Sequence, residues 1–201
     1  LEEMESAMSD FGAHTFNFAD EIFLFNDSKT RLLLEAMIRH PWPRPIRWTA
    51  LTRANHVTAE LIGLAKRAGC VHLEMGVESG DNTILQNTRK GITVEQIREA
   101  VRIIKKENLP LAAYFILGHP GETEDTIRKT ADLAVSLNPR SIAVGLMVPY
   151  PGTQIYEYAK NGQFGYKLLS SNWSDFDKYG GRTLEIEGLP YEVLARWQQK
   201  I

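Results

Sequence analysis

Five short polar or Gly/Pro-rich stretches along the chain could each carry chemistry: Asp20-Glu21, Thr52-Arg53-Ala54-Asn55, Glu78-Ser79-Gly80, Gly118-His119-Pro120-Gly121-Glu122 and Pro149-Tyr150-Pro151-Gly152-Thr153. Carboxylates accept hydrogen bonds and balance positive charge, and a glycine lets a flat ligand approach backbone amides. The pair Arg89-Lys90 adds cations. There is one cysteine, Cys70, which excludes a disulfide framework and any metal site needing several thiolates from this polypeptide. No nucleophile-and-base arrangement or metal-ligand set is visible, so no catalytic residue and no metal ligand is assigned.

Apolar strand-like runs alternate with helix-periodic segments, separated by Gly, Pro or Asn. The spacing predicts strands at His14–Phe18, Ile46–Leu51, Cys70–Val77, Leu111–Leu117 and Ser141–Val148. Helices are expected around Glu2–Met8, at Ser28–Arg39 closed by Pro41, at Thr58–Ala68, Thr93–Lys106 and Glu124–Ser136, with a last one opening at Leu189-Pro190-Tyr191 and running to Gln199. Thr58 suits an N-cap and Gly69 a C′ residue. This βα rhythm implies parallel strands joined by right-handed crossovers, as a barrel or a doubly wound sheet. In the third strand Val71, Leu73, Met75 and Val77 form one side and His72, Glu74, Gly76 and Glu78 the other. A doubly wound sheet favours continuously apolar strands, whereas the inner wall of an incomplete barrel can line a wet cavity, so the barrel is preferred. In such folds functional groups gather at the carboxyl ends of strands, where all five polar stretches fall.

The 201 residues are 43% hydrophobic and 24% charged, with a formal charge of −2. That composition excludes disorder and gives no general attraction to nucleic acid or an anionic membrane, leaving a small-molecule site as the better expectation. No apolar run is long enough to span a bilayer, and a cytoplasmic location is expected. The chain opens at Leu1 without a methionine, inside what reads as a helix, as an internal piece of a longer protein would.

The ordered set Phe18-Ala19-Asp20-Glu21-Ile22-Phe23, Arg67-Ala68-Gly69-Cys70, Gly76-Val77-Glu78-Ser79-Gly80, Lys90-Gly91-Ile92-Thr93, Phe115-Ile116-Leu117-Gly118-His119-Pro120-Gly121-Glu122-Thr123 and Pro149-Tyr150-Pro151-Gly152-Thr153 resembles radical S-adenosylmethionine (SAM) enzymes. The likeness is to the branch that often carries an upstream cobalamin-binding domain and extends to the methylthiotransferases. It covers residues 14–160. The resemblance implies a partial TIM-like (β/α)6 barrel, here lacking its first βα unit, at residues 1–161. From Gly162 onward the βα rhythm is lost, and 162–201 reads as an α-rich C-terminal extension packed on the barrel. In that family a 4Fe-4S cluster, held by a CxxxCxxC loop after the first strand, reduces SAM to a 5′-deoxyadenosyl radical. No CxxxCxxC is present here. The resemblance therefore implies the SAM-binding barrel portion of an enzyme of reductive SAM cleavage or of methyl or methylthio transfer, silent by itself, with Cys70 a packing residue.

By the same resemblance, Asp20 and Glu21 would meet the α-ammonium of SAM, Glu78 with Ser79 beside it the ribose hydroxyls, and Lys90 the methionine carboxylate, with Arg89 as its alternative. Ile116 and Gly118 would contact the adenine, which Pro149 and Tyr150 would complete, while Tyr114 stands where the family pattern has its first Gly. Arg53 and Asn55 would meet SAM or substrate. His119, between Gly118 and Pro120, reads as a turn residue. The implied cofactors are SAM, the cluster in the full-length protein and cobalamin through an upstream domain. The implied partners are a small-molecule substrate and an electron donor. Two other readings remain open: a non-catalytic barrel that has lost its cluster, and an unrelated lyase or isomerase barrel using Glu78 or Lys90 as acid or base.

Overall fold

The computed structural model describes residues 1–201. Strands β1 (Thr15–Phe18), β2 (Arg47–Thr52), β3 (Cys70–Glu78), β4 (Leu111–Leu117) and β5 (Ser141–Leu146) form one parallel sheet in the order β1-β2-β3-β4-β5. The sheet is open, with β1 and β5 at its edges. The helices are α1 (Glu2–Phe11), α2 (Ser28–Arg39), α3 (Ala59–Arg67), α4 (Asn82–Asn87), α5 (Val94–Lys106), α6 (Glu124–Leu137), α7 (Gln154–Lys160) and α8 (Tyr191–Lys200). None is long and apolar enough to cross a membrane.

Local chemistry explains the boundaries. Thr58 caps α3 by accepting from the Leu61 amide at 3.2 Å, and Gly69 follows with φ +100°, where an added Cβ would lie 2.6 Å from the Ile46 carbonyl oxygen. Thr123 and Thr126 close a reciprocal capping box on α6. On β3, Leu73, Met75 and Val77 are fully buried while His72, Glu74 and Glu78 are half-buried, matching the alternation in the sequence. Val71 departs from it because the β2–β3 register slips there: Trp48 pairs with Cys70 and Thr49 with His72, leaving Val71 as the extra residue.

The chain divides into two compact units. The first comprises Leu1–Gly76, Glu95–Ala113 and Pro139–Ser141. Its core holds Trp48, Leu61, Met75, Ile97 and Ile104, all fully buried, and the Trp48 indole N–H donates to the Ala68 carbonyl at 2.8 Å. Each such side chain contributes roughly 1.5–3 kcal/mol. The second unit comprises Val77–Val94, Tyr114–Asn138 and Ile142–Ile201, around Ile84, Leu85, Phe115, Ile127 and Leu194.

The segment 162–201 is less helical than the α-rich extension expected, with α8 its one α-helix. A short antiparallel pair, β6 (Tyr166–Leu168) and β7 (Leu184–Ile186), precedes α8. The strands have three residues each, too few for alternation to be read from sequence. Helices α4 and α7 were missed for the same reason, being six and seven residues long.

Candidate functional site

In the first unit, Asp20 and Glu21 sit exposed in the bend after β1, with no side-chain partner. Arg53 opens a single 3-10 turn over Ala54–His56, and its Nε is buried without a hydrogen-bond partner. Asn55 is exposed and lines a cleft of about 370 Å³ with Glu95, Gln96 and Glu99 of α5.

The second unit brings more of the expected residues together. Glu78 ends β3 with φ +67°, a left-handed conformation unusual for a residue with a Cβ. Its Oε1 accepts from the Lys90 ammonium at 2.5 Å, with the two side chains 17% and 22% exposed. Two groups expected on different parts of one ligand are thus bonded to each other. Arg89 is exposed at φ +52° and does not share the pair, which separates the two neighbouring cations.

Ser79 is fully buried. Its hydroxyl lies 3.2 Å from the Thr130 hydroxyl and accepts the Asp81 amide at 3.2 Å, so it holds the turn rather than presenting a free group. Gly80 is pressed against α6, where a Cβ would meet the Lys129 carbonyl oxygen at 2.4 Å. Asp81 caps α4 through the Thr83 amide and pairs with Lys129 at 2.9 Å. Burial pushes its carboxyl upward, but the hydrogen bond from Lys129 and the Ile84 and Thr83 amides outweigh that and hold it below the usual range.

Ile116 is half-buried near the end of β4. Gly118 follows with φ +96°, and its missing side chain makes room for Met147 Cβ, 3.2 Å from where a Cβ would stand, and for Leu194 at 3.7 Å. Its peptide groups are already bonded. The N–H donates to Glu122 Oε2 at 2.5 Å and the carbonyl accepts from the Tyr166 hydroxyl at 2.7 Å. The His119 amide also donates to Glu122 Oε2, at 3.0 Å. What this strand end can offer a base is therefore the face of a fixed peptide, not free amides.

Glu122 and His119 are each 3% exposed. Burial pushes the Glu122 carboxyl up to about 7, against the Gly118 and His119 amides that stabilise its charge, and Oε1 has no partner. Burial first, then the Lys90 charge, brings the His119 imidazole down to about 4, against a smaller opposing effect of the Glu78 backbone, and neither ring nitrogen has a hydrogen-bond partner. His119 is therefore a buried neutral side chain of the turn. Pro149 is buried and Tyr150 is 41% exposed. The Tyr150 ring stands 6.1 Å from those of Trp173 and Phe176, and its hydroxyl donates to the Phe176 carbonyl at 3.4 Å.

Two residues of this site had no role in the sequence reading. Glu122 closes the Gly118-His119-Pro120-Gly121-Glu122 stretch, and its position four residues after Gly118, just before the Thr123 cap, is the available signal. Tyr166 carried none, because only the fold brings residues 48 apart to one hydrogen bond.

Residues 1–134 match the family described as the radical SAM superfamily. An uncharacterized methyltransferase of Pyrococcus horikoshii is 30% identical over 88% of this chain and 37% of its own length. The anaerobic magnesium-protoporphyrin IX monomethyl ester cyclase of Cereibacter sphaeroides is 28% identical over 78% of this chain and 26% of its own length. The chain thus spans about a third of these relatives. Among solved structures, the radical SAM methyltransferase TsrM of Kitasatospora setae, with cobalamin and a [4Fe-4S] cluster bound, superimposes with a TM-score of 0.73 at 22% identity, covering 85% of this chain and 34% of that one.

Proposed function

Because the chain belongs to the radical SAM superfamily, with methyltransferases and methylthiotransferases among its relatives, we propose that it forms the SAM-binding wall of an enzyme of methyl or methylthio transfer. The observation that carries this reading is the Glu78–Lys90 pair at the end of β3, in one unit with the fixed Gly118 peptide at the end of β4. In parallel α/β folds ligands sit at such strand ends.

In this reading the Glu78 carboxylate accepts the ribose hydroxyls, and Lys90 first orients it and then shares its charge with the methionine carboxylate. Ser79 holds the turn that aims Glu78. Ile116, the Gly118 peptide face and the Pro149-Tyr150 turn enclose the adenine. Asp20 and Glu21 meet the α-ammonium, and Arg53 and Asn55 meet SAM or substrate. For the whole protein the reading adds an electron donor, a small-molecule substrate, cobalamin and a cytoplasmic location.

The [4Fe-4S] cluster of the family supplies the electron for SAM cleavage, but the residues of this chain do not fit it. Its single thiol, Cys70, is 3% exposed, and burial pushes it up to about 12, against a weak hydrogen bond to the His72 carbonyl. No group of three His, Cys, Asp or Glu residues is placed to hold a metal ion.

The test is calorimetric titration of the chain with S-adenosylhomocysteine, which carries the adenosyl and amino-acid parts without needing a cluster. Saturable binding is expected, weakened about tenfold in Glu78→Ala by the loss of hydrogen bonds to a charged group. No binding by the unmodified chain overturns the reading. Equal binding by the variant removes Glu78 from the site.

A further inference from the structure

The peptide that joins Gly118 to His119 is held at both ends by two buried groups. Glu122 takes the His119 N–H at 3.0 Å, and Tyr166, the first residue of β6, gives its hydroxyl to the Gly118 carbonyl; Glu122 also takes the Gly118 N–H of the preceding peptide. Tyr166 is 3% exposed, and its hydroxyl makes this one hydrogen bond. Burial, and then the charge of Glu122, raise the Tyr166 phenol, so it stays a donor at any working pH.

Other residues of the C-terminal segment bond to the same unit, at Gly118, at the start of α6 and within β5. Leu194 of α8 lies 3.7 Å from where a Gly118 Cβ would stand, the Trp197 indole donates to Glu124 at 3.1 Å, and the Gln198 amide donates to the Val144 carbonyl at 2.9 Å. All of these lie beyond residue 134, where the family match ends.

A glycine at φ +96° has little intrinsic preference to stay there, since glycine populates both signs of φ. Fixing the Gly118 carbonyl and the His119 N–H, the two polar groups of one peptide plane, removes that freedom, and a peptide face presented to a flat ring is useful only when its tilt is fixed.

We propose that Tyr166 is a positioning residue of the cofactor wall: its hydrogen bond to the Gly118 carbonyl sets the peptide plane on which an adenine ring lies, which brings one residue of β6 into the support of the SAM site. This rests on the proposed SAM reading and adds a residue outside the family match.

The experiment uses the full chain, Tyr166→Phe and Leu184→Ala. Leu184 is buried on β7, where it pairs with Leu168 of β6, so its truncation lowers stability without removing the Tyr166 hydroxyl. In unliganded Tyr166→Phe the Gly118 and His119 amides should exchange about tenfold faster, and the dissociation constant for S-adenosylhomocysteine should rise about fivefold, the scale of one neutral hydrogen bond. Leu184→Ala should melt at least as early as Tyr166→Phe yet bind within twofold of the unmodified chain. Unchanged exchange and affinity in Tyr166→Phe overturn the proposal. So does a loss of affinity in Leu184→Ala equal to that in Tyr166→Phe, which would make the effect one of stability alone. Failure of the unmodified chain to bind strikes the SAM reading and this inference together, and is seen in a separate arm.

Discussion

Lys90 donates to the Glu78 carboxylate at 2.5 Å, linking the end of β3 to the segment that leads into α5 across twelve residues of chain. With both side chains about four-fifths buried, the pair is not a surface ion pair of negligible worth, and removing one partner strands the other. Lys90→Met and Glu78→Gln should each destabilise the fold by about 1–2 kcal/mol. The double variant should cost clearly less than the sum, by about 1 kcal/mol of coupling. Denaturant melts of the four proteins measure this, and strictly additive losses would show that the pair does not bond in solution.

His119 and Glu122 set opposite pH dependences from neighbouring positions. The Glu122 carboxyl is raised to about 7 from 4.5, so the folded state holds its proton more tightly. Its contribution is full below about pH 4.5 and is lost as pH rises towards 7. The His119 imidazole is lowered to about 4 from 6.5, so the unfolded chain takes the proton first, and its contribution is present above pH 6.5 and lost as pH falls towards 4. Each is worth about 3 kcal/mol at most, and over pH 4.5–6.5 the two oppose each other. The unmodified chain should therefore show a nearly flat stability there. His119→Leu should lose stability as pH rises through that window, and Glu122→Gln should gain it. Thermal melts at several pH values decide, and parallel profiles for all three proteins would contradict the assignment.

The sheet was legible in the sequence because its strands alternate and its helices carry caps: Leu73, Met75 and Val77 announce a buried face, and Thr58 with Gly69 brackets α3. The placement of the candidate residues at strand ends was legible. Their use was not, where it depends on partners. Ser79 reads as exposed chemistry but is consumed by Thr130 and Asp81. Glu78 and Lys90 read as two ligand contacts but bond to each other first. Gly118 reads as an opening for a flat base, and Met147 Cβ, 3.2 Å from where its side chain would stand, leaves only the peptide face for that use. Tyr166 is invisible until β6 folds back to the end of β4.

Gly80 tests how tightly the turn after Glu78 is seated. A methyl group there would stand 2.4 Å from the Lys129 carbonyl oxygen and 2.7 Å from Thr130 Cα, backbone atoms that cannot swing aside. Gly80→Ala should therefore destabilise by about 2–3 kcal/mol, as overpacking against a fixed element does. Gly152→Ala is the comparison. It meets no atom within 4 Å and bears only the strain of φ +87°, so it should cost about 1 kcal/mol. Chemical denaturation ranks the two, and a Gly80 variant as stable as the Gly152 one would mean that the turn stands off α6.

Cys70 should behave as core, not as a ligand or a nucleophile. Its thiol, held up at about 12, is ionised to only about one part in ten thousand at pH 8, and its 3% exposure denies a reagent access. Labelling by an aromatic disulfide reagent should be at least about a thousandfold slower in the folded chain than in denaturant, with a rate that follows opening of the fold. Incubation with iron and sulfide under reducing conditions should give no stoichiometric iron–sulfur absorbance, and Cys70→Ala should leave that null result and the affinity for S-adenosylhomocysteine unchanged while costing about 1 kcal/mol of packing. Fast labelling of the native chain, or a cluster that forms and disappears with Cys70→Ala, would move this residue from the interior of the first unit to its chemistry.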